Sequence, residues 1–113
     1  MHEFSITQSM LEIVLKQAEQ AHAKKVTQIN LIIGEMTGIV SDSVQFYLDI
    51  LTKKTIAENA VVSFTIVPSK AKCRNCNQIF ELKEFDWTCP HCQGKIIDVI
   101  SGKELIVESI EVE

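Results

Sequence analysis

Cys73-Arg74-Asn75-Cys76, twelve intervening residues, then Cys89-Pro90-His91-Cys92 is the stretch that decides how this 113-residue chain is read. Two Cys-x-x-Cys knuckles at that separation put four thiolates where they can close a tetrahedron around one metal ion, as a structural Zn²⁺ site requires. They are all the cysteines of the chain. Disulfides are the competing reading, but they go with a targeting segment, and a thioredoxin-like redox site needs only one Cys-x-x-Cys. Between the knuckles stand Ile79, Phe80, Leu82, Phe85 and Trp87, too few apolar groups to fold such a unit unaided. Zinc ligation supplies the difference, since binding free energies of about 10–16 kcal/mol at structural sites appear directly as folding energy.

On the N-terminal side, Pro68 and Ser69-Lys70 mark a boundary, preceded by a strand over Val61–Val67 in which Val62, Phe64 and Ile66 point one way. Asn59 suits a left-handed turn before it. Ser41 or Asp42 is expected to cap a helix with Val44, Tyr47, Leu48 and Leu51 on its buried face, and Lys53 and Lys54 suit its C-terminal end. Earlier still, Val26–Ile33 alternates with period two, Thr27, Ile29, Leu31 and Ile33 facing one side, and Gly34 ends the strand. Ser5-Ile6-Thr7-Gln8 reads as a capping box opening a helix from about Ile6 to Lys24, with Ile6, Met10, Ile13, Val14, Gln17, Ala18 and Ala21 inward. On the C-terminal side, Gly102 makes a turn and Glu104–Glu113 forms a strand that returns to the first sheet, because two strands need further partners. The expected fold is therefore α+β: a small mixed sheet packed with two helices, plus an inserted zinc-ribbon-like unit built on the four cysteines. Residues 1–67 together with 103–113 form the main domain in this reading, and 68–102 the zinc-binding one.

Eleven Lys and Arg against fifteen Asp and Glu give a formal charge of -4, which argues against nucleic-acid binding by whole-surface electrostatics. The knuckle region is mildly positive, with Lys70, Lys72, Arg74, Lys83 and Lys95 against Glu81, Glu84 and Asp86. A start without basic leader or apolar core, and no apolar run of bilayer length, lead us to expect a soluble cytoplasmic chain. Neither a phosphate loop, a Ser-His-Asp set nor a Glu-x-x-His pair is found, so no catalytic residue is assigned and no enzyme is expected. Of the three histidines, His22 reads as a helix-terminal residue, and His91 as a solvent-facing neighbour of the knuckles that could also exchange as a ligand.

His2 differs from both. If Met1 is retained, its α-amine, the amide nitrogen and imidazole of His2 and the amide of Glu3 supply four nitrogens in a plane, which suits Ni²⁺ or Cu²⁺ and not tetrahedral Zn²⁺. An ordinary translation start followed by an exposed histidine is the plainer alternative.

Taken together, Met1-His2-Glu3 before an amphipathic helix, Ile33-Gly34-Glu35, Ala57-Glu58-Asn59-Ala60, the knuckles with Cys89-Pro90, and Ser109-Ile110-Glu111-Val112 closely resemble the HypA/HybF family of hydrogenase maturation proteins. The resemblance spans essentially the whole chain. It implies a cytoplasmic nickel metallochaperone delivering transferable Ni²⁺ for [NiFe]-hydrogenase maturation, with Met1, His2 and Glu3 in the nickel role and Cys73, Cys76, Cys89 and Cys92 holding structural Zn²⁺. Implied partners are the hydrogenase large subunit, a HypB-like nickel-handling GTPase and, for some carriers, urease accessory proteins, with no nucleic acid or membrane. Monomer and homodimer both stay open. Asp42 is the nearest match to an acidic residue that aids nickel in some members, and Glu35 belongs to the Gly-Glu step. The rival readings are a zinc-ribbon module binding nucleic acid or protein without a nickel role, and a four-cysteine iron electron carrier.

Overall fold

The computed structural model describes residues 3–83 and 87–113. In chain order its elements are α1 (Glu3–Gln20), β1 (Val26–Gly34), a 3-10 turn (Glu35–Thr37), α2 (Ser41–Leu51), β2 (Val61–Val67), β3 (Lys70–Cys73), β4 (Ile79–Glu81), β5 (Ile97–Ser101) and β6 (Leu105–Val112). Alternating Ile29, Leu31 and Ile33 make β1 the centre of the first sheet, and all three are buried. β2 lies parallel to it in unbroken register, from Gln28↔Val61 to Gly34↔Val67. The terminal strand does return: β6 pairs antiparallel with β1, giving the mixed order β2-β1-β6. Val26 is buried although alternation places it with Gln28 and Asn30. A register shift between Val26 and Gln28 in the pairing with β6 accounts for this, since an extra residue turns the strand and re-aims its end.

Both helices share one core with this sheet, with Met10, Leu11, Val14 and Ala18 from α1 and Val44 and Leu48 from α2. The α1 stripe is rotated from the expected one: Thr7 and Leu11 are buried, while Ile13, Gln17 and Ala21 are exposed. Thr7, Met10, Leu11, Val14 and Ala18 still keep the 3.6-residue period, so the sheet selected one of two adjacent apolar stripes. Ser5 does not cap the helix, because α1 already begins at Glu3. An acidic first residue suits the positive end of the dipole, and Phe4 meets Tyr47 of α2 edge-on with centroids 5.3 Å apart.

At its far end α1 stops at Gln20, short of Lys24. His22 takes a left-handed φ of 54° and donates its amide to Glu19 O at 3.0 Å, while Ala23 N–H reaches Ala18 O at 2.9 Å. Those two bonds form a Schellman closure that satisfies the last carbonyls and ends the helix. Neither Ser41 nor Asp42 caps α2 with its side chain; Val40 is the N-cap residue and its carbonyl accepts from Ser43 and Val44. Val44 and Leu48 are buried as expected, Tyr47 and Leu51 only in part. Asn59 is left-handed, φ 66°, as read from the sequence.

Between β2 and β6 the chain builds a second, antiparallel sheet in the order β4-β3-β5. The unit's buried apolar set is Ala71, Cys73, Phe80 and Cys89. Ile79 and Trp87, expected to contribute, are exposed, Leu82 is half-buried, and Phe85 lies outside the described residues. The two crossings between the sheets are knotted together. Met36 N–H donates to Gly102 O (2.7 Å), Ser69 N–H to Glu35 Oε1 (3.2 Å) and Ser101 Oγ to Pro68 O (2.8 Å). Gly34 lies so close to the Gly102 carbonyl that a β-carbon would collide with backbone.

Candidate metal centre

Each Cys-x-x-Cys folds into the same tight turn, and the repetition explains why the spacing works. In the first knuckle Asn77 N–H donates to Cys73 O (2.9 Å) and Cys73 N–H to Gln78 O (3.0 Å). In the second, Gln93 N–H donates to Cys89 O (2.8 Å) and Cys89 N–H to Gly94 O (2.9 Å). The residue after each second cysteine is left-handed, Asn77 at φ 61° and Gln93 at φ 62°. This reversal brings both thiols of a knuckle to one side. Gly94 completes the second turn, where a β-carbon would stand 2.7 Å from Asn75 Nδ2 and 3.2 Å from Cys92 Sγ.

Four sulfurs thereby converge. Cys73 Sγ lies 3.4 Å from Cys92 Sγ and Cys76 Sγ 3.6 Å from Cys89 Sγ, and all four fall within 4.8 Å of one another. A tetrahedron with zinc–sulfur bonds of about 2.3 Å has edges of roughly 3.8 Å, inside that span. Cys73 and Cys89 are buried, Cys76 is half-buried and Cys92 exposed. The thiols are unequal. Cys73 is held down to about 7, chiefly by the backbone N–H of Cys76, whereas Cys92 is pushed up to about 12; the Gly94 amide favours its thiolate, but the neighbouring sulfurs, that of Cys73 first, and partial loss of solvent around its own sulfur outweigh that. Four thiols this close do not ionise together without a cation among them, and the cluster fits a structural zinc site. His91 is exposed, and its backbone N–H reaches Cys89 Sγ at 3.4 Å.

Arg74, inside the first knuckle, grips Asp98 of β5 with Nη2–Oδ1 at 2.8 Å and Nε–Oδ2 at 3.0 Å. That hydrogen bond from Arg74 holds the Asp98 carboxyl below the usual carboxylate range. Sequence reading missed this pair, the left-handed Asn77 and Gln93, and the need for Gly94. Asparagine directly after Cys76 was the one signal present, as it tolerates positive φ better than most residues.

Of the expected nickel ligands, Met1 and His2 lie outside the described residues, and Glu3 is the half-buried first residue of α1. Asp42 is exposed in the first turn of α2, and Glu35 is committed to Ser69. His22 serves as the left-handed closing residue of α1. Among the described residues the four cysteines are the one gathered group of three or more metal-ligating side chains, and no helix is long and apolar enough to cross a membrane.

A family described as "Hydrogenase/urease nickel incorporation, metallochaperone, hypA" matches residues 1–112. The hydrogenase maturation factor HypA of Caldanaerobacter subterraneus is 49% identical over 115 residues, covering the whole of both chains. HybF of Escherichia coli, also a hydrogenase maturation factor, is 39% identical over 113 residues, again covering both chains fully. Among solved structures, the Ni metallochaperone HypA from Helicobacter pylori superposes with a TM-score of 0.69 at 20% identity, over 99% of this chain and 97% of the other. A second HypA solution structure gives a TM-score of 0.74, also at 20% identity, over 100% and 97%.

Proposed function

The chain belongs to the HypA family, and from that premise we propose that it carries Ni²⁺ for hydrogenase maturation, capturing the ion at its N-terminus and yielding it to a docked acceptor. The match over residues 1–112, which takes in Met1 and both knuckles, is the observation that carries this reading. Its relatives are maturation factors and metallochaperones, not catalysts. Nickel is cargo in this account. Its ligands are the α-amine of Met1, the amide and imidazole of His2 and the amide of Glu3, a planar nitrogen set suited to Ni²⁺. Because the first four N–H groups of a helix have no intrahelical acceptor, the Glu3 amide can release its proton to solvent and offer its nitrogen to a metal without breaking a bond of α1.

Zinc has a separate task. Cys73, Cys76, Cys89 and Cys92 would hold it with no open position, so it contributes folding energy and offers nothing to transfer. Accordingly, we assign nickel handling to residues 1–67 with 103–113 and structural zinc binding to 68–102. An N-terminal site stays reachable by an acceptor, here the hydrogenase large subunit or a HypB-like GTPase, and the family description extends the recipients to urease. Copper outcompetes nickel at such nitrogens on affinity alone, so docking and availability set selectivity. The reading as a nucleic-acid-binding ribbon is not favoured, since Arg74, the one arginine of the mildly basic knuckle region, is already engaged by Asp98.

Nickel titration of zinc-loaded protein with an authentic N-terminus tests the proposal. One Ni²⁺ should bind per chain with a Kd of about micromolar, as a carrier that releases its ion needs. His2→Ala and a variant with one extra leading residue should both lose it; undiminished binding by both would refute the site.

A further inference from the structure

The two knuckles are alike in backbone and unlike in exposure. Among the described residues, the first sulfur of each accepts two amide N–H groups: Cys73 from Asn75 and Cys76, Cys89 from His91 and Cys92. The second sulfur of each accepts one, Cys76 from Gln78 and Cys92 from Gly94. Every N–H drawn to a thiolate holds its charge and lowers its nucleophilicity, so Cys76 and Cys92 keep the more reactive sulfurs. Exposure then separates these two. Cys76 is half-buried against the small core of Ala71, Cys73, Phe80 and Cys89, whereas Cys92 is exposed. Cys73 and Cys89 are shut off from solvent. A closed tetrahedron offers no position to a further ligand, but ligation keeps its four sulfurs as thiolates, and a thiolate that solvent reaches remains a nucleophile.

The sulfur contacts add a second observation. Cys73 Sγ–Cys92 Sγ at 3.4 Å and Cys76 Sγ–Cys89 Sγ at 3.6 Å both run from one knuckle to the other. The exposed sulfur therefore has a buried one directly behind it. We infer that Cys92 is the peroxide-reactive thiolate of this chain, and that its oxidised form is captured by Cys73 as a disulfide between the knuckles, with release of the zinc.

Hydrogen peroxide is the oxidant. The Cys92 sulfur attacks one peroxide oxygen: an S–O bond forms, the O–O bond breaks, hydroxide leaves, and the thiolate has become a sulfenic acid. Cys92 no longer ligates. The Cys73 thiolate then attacks the Cys92 sulfur from its buried side, opposite the solvent-side oxygen; the S–S bond forms, the S–O bond breaks and a second hydroxide departs. Two thiolates are oxidised and one peroxide is reduced. Cys76 and Cys89 alone cannot complete a four-coordinate site, so the ion goes to solvent. A Cys73–Cys92 bond still ties the first knuckle to the second, which a bond within either knuckle would not do, and reductant with fresh zinc suffices to rebuild the centre. Nickel capture at the N-terminus plays no part in this chemistry.

Treatment of the zinc-loaded full chain with millimolar hydrogen peroxide tests this, with released zinc followed by a chromogenic chelator and the cysteines mapped by peptide mass spectrometry. Dimedone, which traps sulfenic acids, should label Cys92 several-fold faster than any other cysteine. Without the trap, the first disulfide should be Cys73–Cys92, and one zinc should leave for each such bond formed. Dithiothreitol and fresh zinc should restore the thiols and the amide protection of residues 70–101. A limiting dose of iodoacetamide gives a reading that needs no oxidant, and it should alkylate Cys92 first. Sulfenic acid or alkylation appearing first at Cys76, a first disulfide within one knuckle, or four thiols that survive while glutathione in the same tube is oxidised would overturn the inference.

Discussion

The two sheets of this chain are held by different forces. Beneath β2-β1-β6, twelve buried hydrophobic residues from both helices, β1 and the loops form one contiguous core. Beside β4-β3-β5 there are four, and two of them are cysteines. A core of the first kind contributes stability in proportion to the apolar area removed from water. The second has too little such area, so its order rests on thiolates whose mutual repulsion only a cation relieves. The same chain thus joins a half that folds by burial to a half that folds by ligation.

Taking the metal away should separate the two halves most sharply. Cys73→Ser, or chelation of the parent, should abolish amide protection across residues 70–101 while β1 and both helices keep theirs, because ligation worth about 10–16 kcal/mol is lost from one half only. Hydrogen exchange read residue by residue decides it, and simultaneous loss in both halves would show that the first sheet also depends on zinc. Next in size, Leu48→Ala removes a fully buried side chain from the first core, and should cost about 2–5 kcal/mol in denaturant unfolding with no change in zinc content.

The joint between the halves comes third. Gly34→Ala forces a methyl against the Gly102 backbone and should cost about 1–3 kcal/mol, with chemical-shift changes on both sides of the crossing. At the small end, His22→Gly should stabilise α1 by about 0.5 kcal/mol, relieving a non-glycine residue of its left-handed conformation at the expense of some chain entropy.

The smallest effect concerns Arg74 and Asp98, an exposed pair. Asp98 has its carboxyl lowered by the partner, so its contribution is present above the ordinary carboxylate pKa and disappears as pH falls through the lower folded value. Stability profiles of the parent and Arg74→Ala should therefore differ slightly at neutral pH and converge in acid, and added salt should narrow the gap.

How much of this was legible from sequence tracks the range over which each signal acts. The knuckles, the alternation of β1, the bounds of β2 and the left turn at Asn59 are local patterns, and each appears where expected. The return of β6 to the first sheet was reachable by asking what a two-stranded sheet lacks. Errors gathered where packing or a bulge chose between near-equal local options: Leu11 over Ile13 in α1, the re-aimed Val26, a backbone closure at His22 before Lys24, and a helix opening at Glu3 without the Ser5 cap. In the metal centre the ligands could be read and their supports could not. Asn77, Gln93 and Gly94 matter through backbone conformation and free space, and Arg74 through a partner 24 residues away.

A division of labour between a retained zinc and a transferable nickel is the central claim, and metal counting during handover tests it most directly. Chain loaded with both ions is mixed with a nickel chelator of about micromolar affinity, separated, and measured for each metal. Nickel should leave while one zinc per chain remains, with the amide protection of residues 70–101 unchanged. Zinc leaving together with nickel, or nickel found in place of zinc among the four cysteines, would contradict it.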